Sequence, residues 1–202
     1  MSTPTMEPTP PNVEEQAWLT GLRRGNEADL ERIFHRFYRY LTVTAYQLIP
    51  DEDKAQDLVQ DLFFSLWTKR ADLSVKGSLK AYLRKAIVNR CIDELRREQR
   101  RGTTSDEQLP YQAASQTAAD TLLETSDLQR LINHAIDQLP ERCRAVFSLS
   151  RFHAMSNKDI AAKLGISVKT VENQMTKALK LLRGALANHV PQWLLGFVLF
   201  NS

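Results

Sequence analysis

The sequence predicts an all-α protein of two small helical domains joined by a flexible linker. Apolar residues recur at helical spacing through most of the 202 residues, and almost no alternating strand pattern interrupts them. The stretch 102–116, GTTSDEQLPYQAASQ, is instead rich in small, polar and turn-forming residues. The length accommodates two domains near the lower end of typical domain size. We expect a disordered lead at 1–12, a first domain at 13–99, a linker at 100–125, a second domain at 126–189 and an apolar tail at 190–202.

The lead, MSTPTMEPTPPN, has no basic start followed by an apolar run, so it reads as disordered and not as a signal peptide; a cytoplasmic location is expected. Helices are predicted near 13–24, 27–48, 53–70 and 78–98. Helical periodicity returns at about 128–139, Pro140 can open the next helix, and two short helices follow.

Those last two lie in SNKDIAAKLGISVKTVENQMTKALKLLR, residues 156–183. Ser156 is a good N-cap, and Asp159 makes an approximate capping box, with a carboxylate at the positive end of a helix running to about Leu164. Gly165 ends it. Ser167 can cap the next helix, on which Val168, Val171, Met175, Ala178 and Leu182 form one apolar stripe facing the core. The opposite side carries Lys169, Thr170, Asn173, Thr176, Lys177 and Lys180, hydrogen-bonding and cationic groups suited to a DNA major groove. A helix pair punctuated by a Gly-Ile-Ser turn fits a helix-turn-helix better than an ordinary helical hairpin with a solvated face.

A second informative segment is DEDKAQDLVQDLFFSLWTKR, residues 51–70. On a helical wheel Leu58, Val59, Leu62 and Leu66 define the buried side, while Asp57, Gln60, Asp61, Phe64 and Trp67 lie around the other. Aromatic anchors among carboxylates on a wet face are what a protein–protein interface supplies. The alternative is that a neighbouring helix of the same domain covers Phe64 and Trp67.

A third segment, residues 74–101, starts with the loop SVKGS and continues into a basic helix. Its apolar stripe is Leu79, Leu83, Ala86 and Ile87, extended toward Cys91 and Leu95; Ser78, Tyr82, Lys85, Asn89 and Arg96 form a separate stripe. A stacking ring, an amide for a base edge and cations for phosphate suit an unpaired strand, and the loop can receive an extruded base. A plain solvated cationic face is the alternative.

The formal charge of +3 conceals strong local differences. Residues 76–101 hold nine Lys or Arg against three acids, residues 158–183 hold six against two, and residues 102–127 hold five acids and no Lys or Arg. Two cationic patches are thus separated by an anionic tether. Cys91 and Cys143 are isolated, which makes neither a disulfide framework nor a metal site, and buried reduced thiols are expected. His35, His134, His153 and His189 are scattered, with no metal-ligand spacing, phosphate-binding glycine loop or nucleophile motif beside them. We therefore expect no catalytic residue, no metal, no cofactor and no enzyme activity.

Together the three segments resemble a bacterial sigma factor of the sigma-70 family, in its compact extracytoplasmic-function (ECF) group. AWLTGLRRGNEADLERIFHRFYRYLTVTAYQLI followed by DKAQDLVQDLFFSLW resembles sigma region 2 up to its polymerase-binding helix, and SLKAYLRKAIVNRCIDELRRE its promoter-melting part. LPERCRAVFSLSRFHAMSNKDIAAKLGISVKTVENQMTKAL resembles sigma region 4. The resemblance covers about residues 14–98 and 126–188; neither a long acidic N-terminal region nor a separate helical region 3 is evident.

The resemblance implies a factor that binds core RNA polymerase, recognises promoter −35 and −10 elements and promotes DNA opening. Its partners would be polymerase (the beta-prime clamp helices and the beta subunit), promoter DNA and an anti-sigma factor, without stable membrane insertion. Asp57, Gln60, Asp61 and Trp67 correspond to positions that engage the clamp helices, and Phe64 lies on the same face. Tyr82 and Asn89 match positions that open and read the −10 element, and the loop 75–78 the segment that captures a flipped base. Residues reading the −35 element would lie among Lys169, Thr170, Glu172, Asn173 and Lys177; many ECF proteins have a basic residue where this chain has Glu172. The acidic tether resembles ECF linkers that pass near the polymerase active-site or RNA-exit channel.

A two-domain transcriptional regulator whose N-terminal helices sense a ligand or dimerise would carry a similar helix-turn-helix, but DLVQDLFFSLW favours the sigma reading. The tail VPQWLLGFVLF is too short for an ordinary membrane-spanning helix of about 20 apolar residues. It either packs on the second domain or contributes to an anti-sigma interface.

Overall fold

The computed structural model describes residues 13–102 and 127–187. The expected lead, linker and apolar tail lie almost wholly outside them. The described residues are helical and contain no strand, so the protein is all-α. They divide into two compact units, the first ending at Glu94 and the second starting at Leu95. This boundary falls inside the basic helix, seven residues before its end.

The first unit begins with α1 (Val13–Arg23) and α2 (Glu27–Tyr46), joined by a tight turn. Asn26 starts α2, its side-chain oxygen accepting from the Ala28 N–H at 3.1 Å. Its amide donates to the buried Asp29 carboxylate at 2.8 Å, and Arg32 adds a second bond at 2.6 Å, so that carboxylate is not left unpaired. Next come α3 (Glu52–Thr68), capped by Asp51, and a single 3₁₀ turn at Arg70–Asp72. The 3₁₀ turn is why α3 stops two residues short of the expected end. The basic helix α4 (Leu79–Arg101) outlasts its expected end by three residues, with Arg100 and Arg101 in the last turn, where cations oppose the negative end of the helix dipole. The core of the unit includes Leu22, Ile33, Leu41, Ile49, Leu83 and Ile87.

The second unit comprises the last turns of α4, from Leu95, with α5 (Asp127–Asp137), α6 (Glu141–Arg151), α7 (Asn157–Leu164) and α8 (Val168–Leu186). α8 is the hub: it packs on α5, α6 and α7. Ala135, Ile136, Leu139, Cys143 and Phe147 form one apolar cluster with Ala178, Leu182 and Leu186 of α8. The whole middle of α6, Cys143 to Leu149, is buried, including Arg144, whose guanidinium bonds the Asp137 carbonyl and lies 3.6 Å from its carboxylate. No described helix is long and apolar enough to cross a membrane.

Candidate functional site

The turn between α7 and α8 is built by local chemistry. Ser156 accepts from the Asp159 N–H at 3.2 Å and donates its hydroxyl to the Asp159 carboxylate at 2.6 Å, so the expected capping box closes side chain to side chain. Gly165 takes φ 69° and ψ 34°, a left-handed conformation costly for any residue with a Cβ. The Ile166 N–H then returns to the Ala161 carbonyl at 3.1 Å, and Ser167 caps α8 by accepting from Thr170 N–H at 3.0 Å.

Along α8, Val171, Ala178 and Leu182 are buried and Met175 is half-buried, as the apolar stripe predicts. Val168 is the exception at 38% exposed, because it stands in the first turn beside the open connection to α7. Lys169, Glu172, Asn173, Thr176, Lys177 and Lys180 are all exposed. Two of these side chains engage each other: Lys169 Nζ lies 3.7 Å from the Glu172 carboxylate. Thr170 is half-buried, and its hydroxyl lies 2.8 Å from that of Ser167. Asn173 and Lys177 therefore stand at the centre of the open face, while Thr170 belongs as much to the cap.

On α3 the periodicity holds with one addition. Val59, Leu62 and Leu66 are buried and Leu58 is half-buried; Phe63, absent from the wheel's buried set, is buried as well. Asp57, Gln60 and Asp61 are exposed, and Phe64 is 71% exposed, so no neighbouring helix covers it. Trp67 is half-buried, with the Arg70 guanidinium 4.3 Å from its ring centre and bonded to its carbonyl at 2.9 Å. The Trp-Thr-Lys-Arg spacing is the only local sign of that stacking, and it is not distinctive.

Ser78, Tyr82, Lys85 and Asn89 follow one side of α4 within the first unit. Lys85 is exposed and the other three are half-buried; Ser78 caps α4, accepting from the Ala81 N–H at 3.1 Å. Arg96 is exposed on the last turns of α4, in the second unit. On the inner side Leu79, Leu83, Ile87, Cys91 and Leu95 are buried as expected, joined by Val88 and Ile92, while Ala86 is half-buried. Arg90 donates to the Ser65 hydroxyl at 2.5 Å and Lys80 lies 4.9 Å from the Tyr40 ring centre, which ties α4 to α3 and α2.

The loop before α4 is anchored from α1. Arg23 Nε donates to the Leu73 carbonyl at 3.0 Å, and the Leu79 N–H donates to the Glu15 carboxylate at 3.3 Å. Sequence reasoning singled out neither residue, since each bond spans at least fifty positions. Cys91 and Cys143 are free and buried, and burial pushes the Cys91 thiol up to about 12. The described residues hold no cluster of His, Cys, Asp and Glu that could bind a metal.

Residues 33–101 match the Sigma-70 region 2 family and residues 129–182 the Sigma-70, region 4 family, together more than half of the chain. The chain belongs to the sigma-70 family. It is a promoter-recognising RNA polymerase sigma factor of the ECF group. The sigma factor is 29% identical to an RNA polymerase sigma-E factor of Streptomyces antibioticus over 169 residues, covering 82% of this chain and 88% of that one. It is 26% identical to the ECF RNA polymerase sigma factor SigM of Mycobacterium tuberculosis over 154 residues, 76% of this chain and 75% of the relative. Among solved structures, the sigma factor RpoE in complex with the anti-sigma factor NepR from Bartonella quintana is 25% identical, with a TM-score of 0.45, covering 80% of this chain and 99% of that one.

Proposed function

We propose that the sigma factor binds core RNA polymerase through the α3 face and divides promoter recognition between its units. The observation that carries this reading is the exposed stripe Asp57, Gln60, Asp61 and Phe64: a large aromatic ring held in water beside carboxylates, the composition of an interface with a basic, partly apolar partner. Trp67 extends the stripe at its end. Polymerase supplies catalysis; this chain supplies position and stabilises an opened duplex.

In the second unit, α8 would enter the major groove at the −35 element. Asn173 and Lys177 present an amide and a cation, and the Lys169–Glu172 pair sits at the edge of the same face. In the first unit, Tyr82 and Asn89 would hold the −10 nontemplate strand by stacking and base-edge bonding, with Lys85 at a phosphate and the Ser78 end of the loop receiving one extruded base; Arg96 would contribute a separate phosphate contact. Opening costs on the order of 1 to 2 kcal/mol per base step, so several such contacts must act together. An anti-sigma factor that covered the α3 stripe would compete directly with polymerase.

The test is reconstitution with core polymerase. The wild-type chain should direct initiation from a discrete promoter that core polymerase ignores, and Asp61→Arg should fail to form holoenzyme while keeping its helical content and melting temperature. Normal assembly by Asp61→Arg would remove the α3 contact; dimeric binding to symmetric half-sites without polymerase would favour an ordinary DNA-binding regulator instead.

A further inference from the structure

Both ends of the loop at 74–78 are held by a single helix, α1. The loop is a short arch between two buried leucines, Leu73 and Leu79, and Gly77 bends it sharply at φ 84°. Just before the arch, Arg23 Nε donates to the Leu73 carbonyl; just after it, the Leu79 N–H donates to the Glu15 carboxylate. Glu15 and Arg23 sit about 12 Å apart along α1 at the rise of an α-helix. A rigid element thus touches the loop backbone at two separated points.

The Glu15 bond also settles part of the α4 N-terminus. Leu79, Lys80 and Ala81 have N–H groups with no intrahelical partner. The Ser78 hydroxyl takes that of Ala81, and Glu15 takes that of Leu79, placing a negative charge at the positive end of the helix dipole. The Arg23 and Glu15 bonds go to backbone groups and use none of the loop's own side chains, so α1 can fix the arch while leaving Val75 and Lys76 available to a ligand.

We infer that Glu15 and Arg23 are positioning residues for base capture: α1 pre-sets the arch that receives the extruded base of the opened promoter strand. This rests on the base-capture reading above. A flexible arch would have to be ordered at the moment of capture, losing conformational freedom; anchorage at both ends removes that loss and shows as tighter binding to the opened strand alone. On this reading the upstream duplex is held by α8, so loss of either residue should leave duplex binding unaffected.

The test uses holoenzyme on two DNAs built from a promoter the wild type transcribes: the intact duplex, and a fork whose nontemplate strand is unpaired through the −10 element. Glu15→Ala and Arg23→Met should each weaken fork binding about three- to tenfold, the loss of one hydrogen bond, with duplex binding within about twofold of wild type. Glu15→Gln should retain fork binding, because its amide oxygen still accepts from Leu79 N–H. Melting temperatures of the free variants report whether α1 stays folded.

A chain lacking Val75 and Lys76 separates the two levels of the argument. If that deletion leaves fork binding unchanged, the loop captures no base and the base-capture reading falls. If the deletion impairs fork binding while Glu15→Ala and Arg23→Met do not, the positioning role alone is overturned. Equal loss in Glu15→Gln and Glu15→Ala overturns it too, since the acceptor would then not be what matters.

Discussion

Phe63 and Phe64 are neighbours on α3, about 100° apart around its axis, and that turn carries one ring into the core and leaves the other in water. Phe63 is buried, its ring centre 4.9 Å from that of Phe34, whereas Phe64 stands in solvent beside Asp61. The two rings should therefore fail differently when removed. Phe63→Ala is expected to destabilise the first unit by about 3 to 5 kcal/mol, the cost of deleting a buried aromatic side chain. Phe64→Ala should leave stability within about 0.5 kcal/mol. If Phe64 anchors polymerase, its removal should weaken holoenzyme assembly by about 2 kcal/mol or more. Denaturant unfolding and a polymerase-binding titration on both variants check this; a stability loss in Phe64→Ala as large as that in Phe63→Ala would sink it.

Asn173 and Asn89 offer the same chemistry in different units. Asn173 is exposed on α8 and Asn89 half-buried on α4. Asn173→Ala is expected to weaken binding to duplex promoter by about 1 to 3 kcal/mol, the range for a good base contact. Asn89→Ala should chiefly weaken binding to the opened strand. Holoenzyme titrations on duplex and forked DNA separate them, and indistinguishable profiles would refute the assignment.

Ser167 joins the turn to the start of α8 through both the Thr170 N–H and the Thr170 hydroxyl. Ser167→Ala should cost about 1 kcal/mol of stability. Gly165→Ala forces a Cβ into the left-handed region, at roughly 1 kcal/mol. Because Thr170 loses a partner in the first variant, Ser167→Ala should also alter −35 recognition beyond its stability loss, whereas Gly165→Ala should affect binding only as far as it affects folding. Thermal unfolding beside duplex binding makes the comparison.

Asp137 should make the stability of the chain depend on pH. Burial raises its carboxyl above 3.8, and the charges of Arg144 and then His134 only partly oppose that rise. A raised folded value means that the folded chain holds the proton more tightly; the resulting stabilisation is full below 3.8 and lost as pH rises through the folded value. Asp137→Asn lacks this titration. Its stability relative to wild type should therefore increase from about pH 4 to pH 7, as measured by denaturant unfolding of both chains. A constant difference across that range would count against the partial burial of the carboxyl as the cause of the shift.

Cys91 is closed to solvent, and with its thiol held near 12 it stays protonated at ordinary pH. Native protein should resist alkylation by iodoacetamide at about pH 8, and unfolded protein should take up reagent at both cysteines. Mass spectrometry reads the adducts; rapid double labelling of native chain would contradict the burial of both thiols. The Cys91 contribution to stability is present below 9.0 and lost only as pH rises toward about 12.

Much of this was legible in the order of residues because its causes are local. Caps at Asn26, Asp51, Ser156 and Ser167 act within three residues, and the 3.6-residue period sets which side of α3, α4 and α8 meets water. Val168 departs from its stripe because a helix's first turn has fewer neighbours than the period assumes. Phe63 stands one turn from both Val59 and Leu66, so the 3.6-residue period already points it inward, and its packing against Phe34 shows what it meets there.

The sequence by itself determined the all-α class, the helices, the turn at Gly165 and the residue types offered on each helix face, since each follows from interactions within one or two turns of chain. The tertiary structure decided that Phe64 is left uncovered, that Arg144 is buried against Asp137, and that Glu15 and Arg23 hold both ends of a loop some fifty or more residues away. Such contacts join groups that periodicity cannot relate, because they depend on where whole helices come to rest against one another.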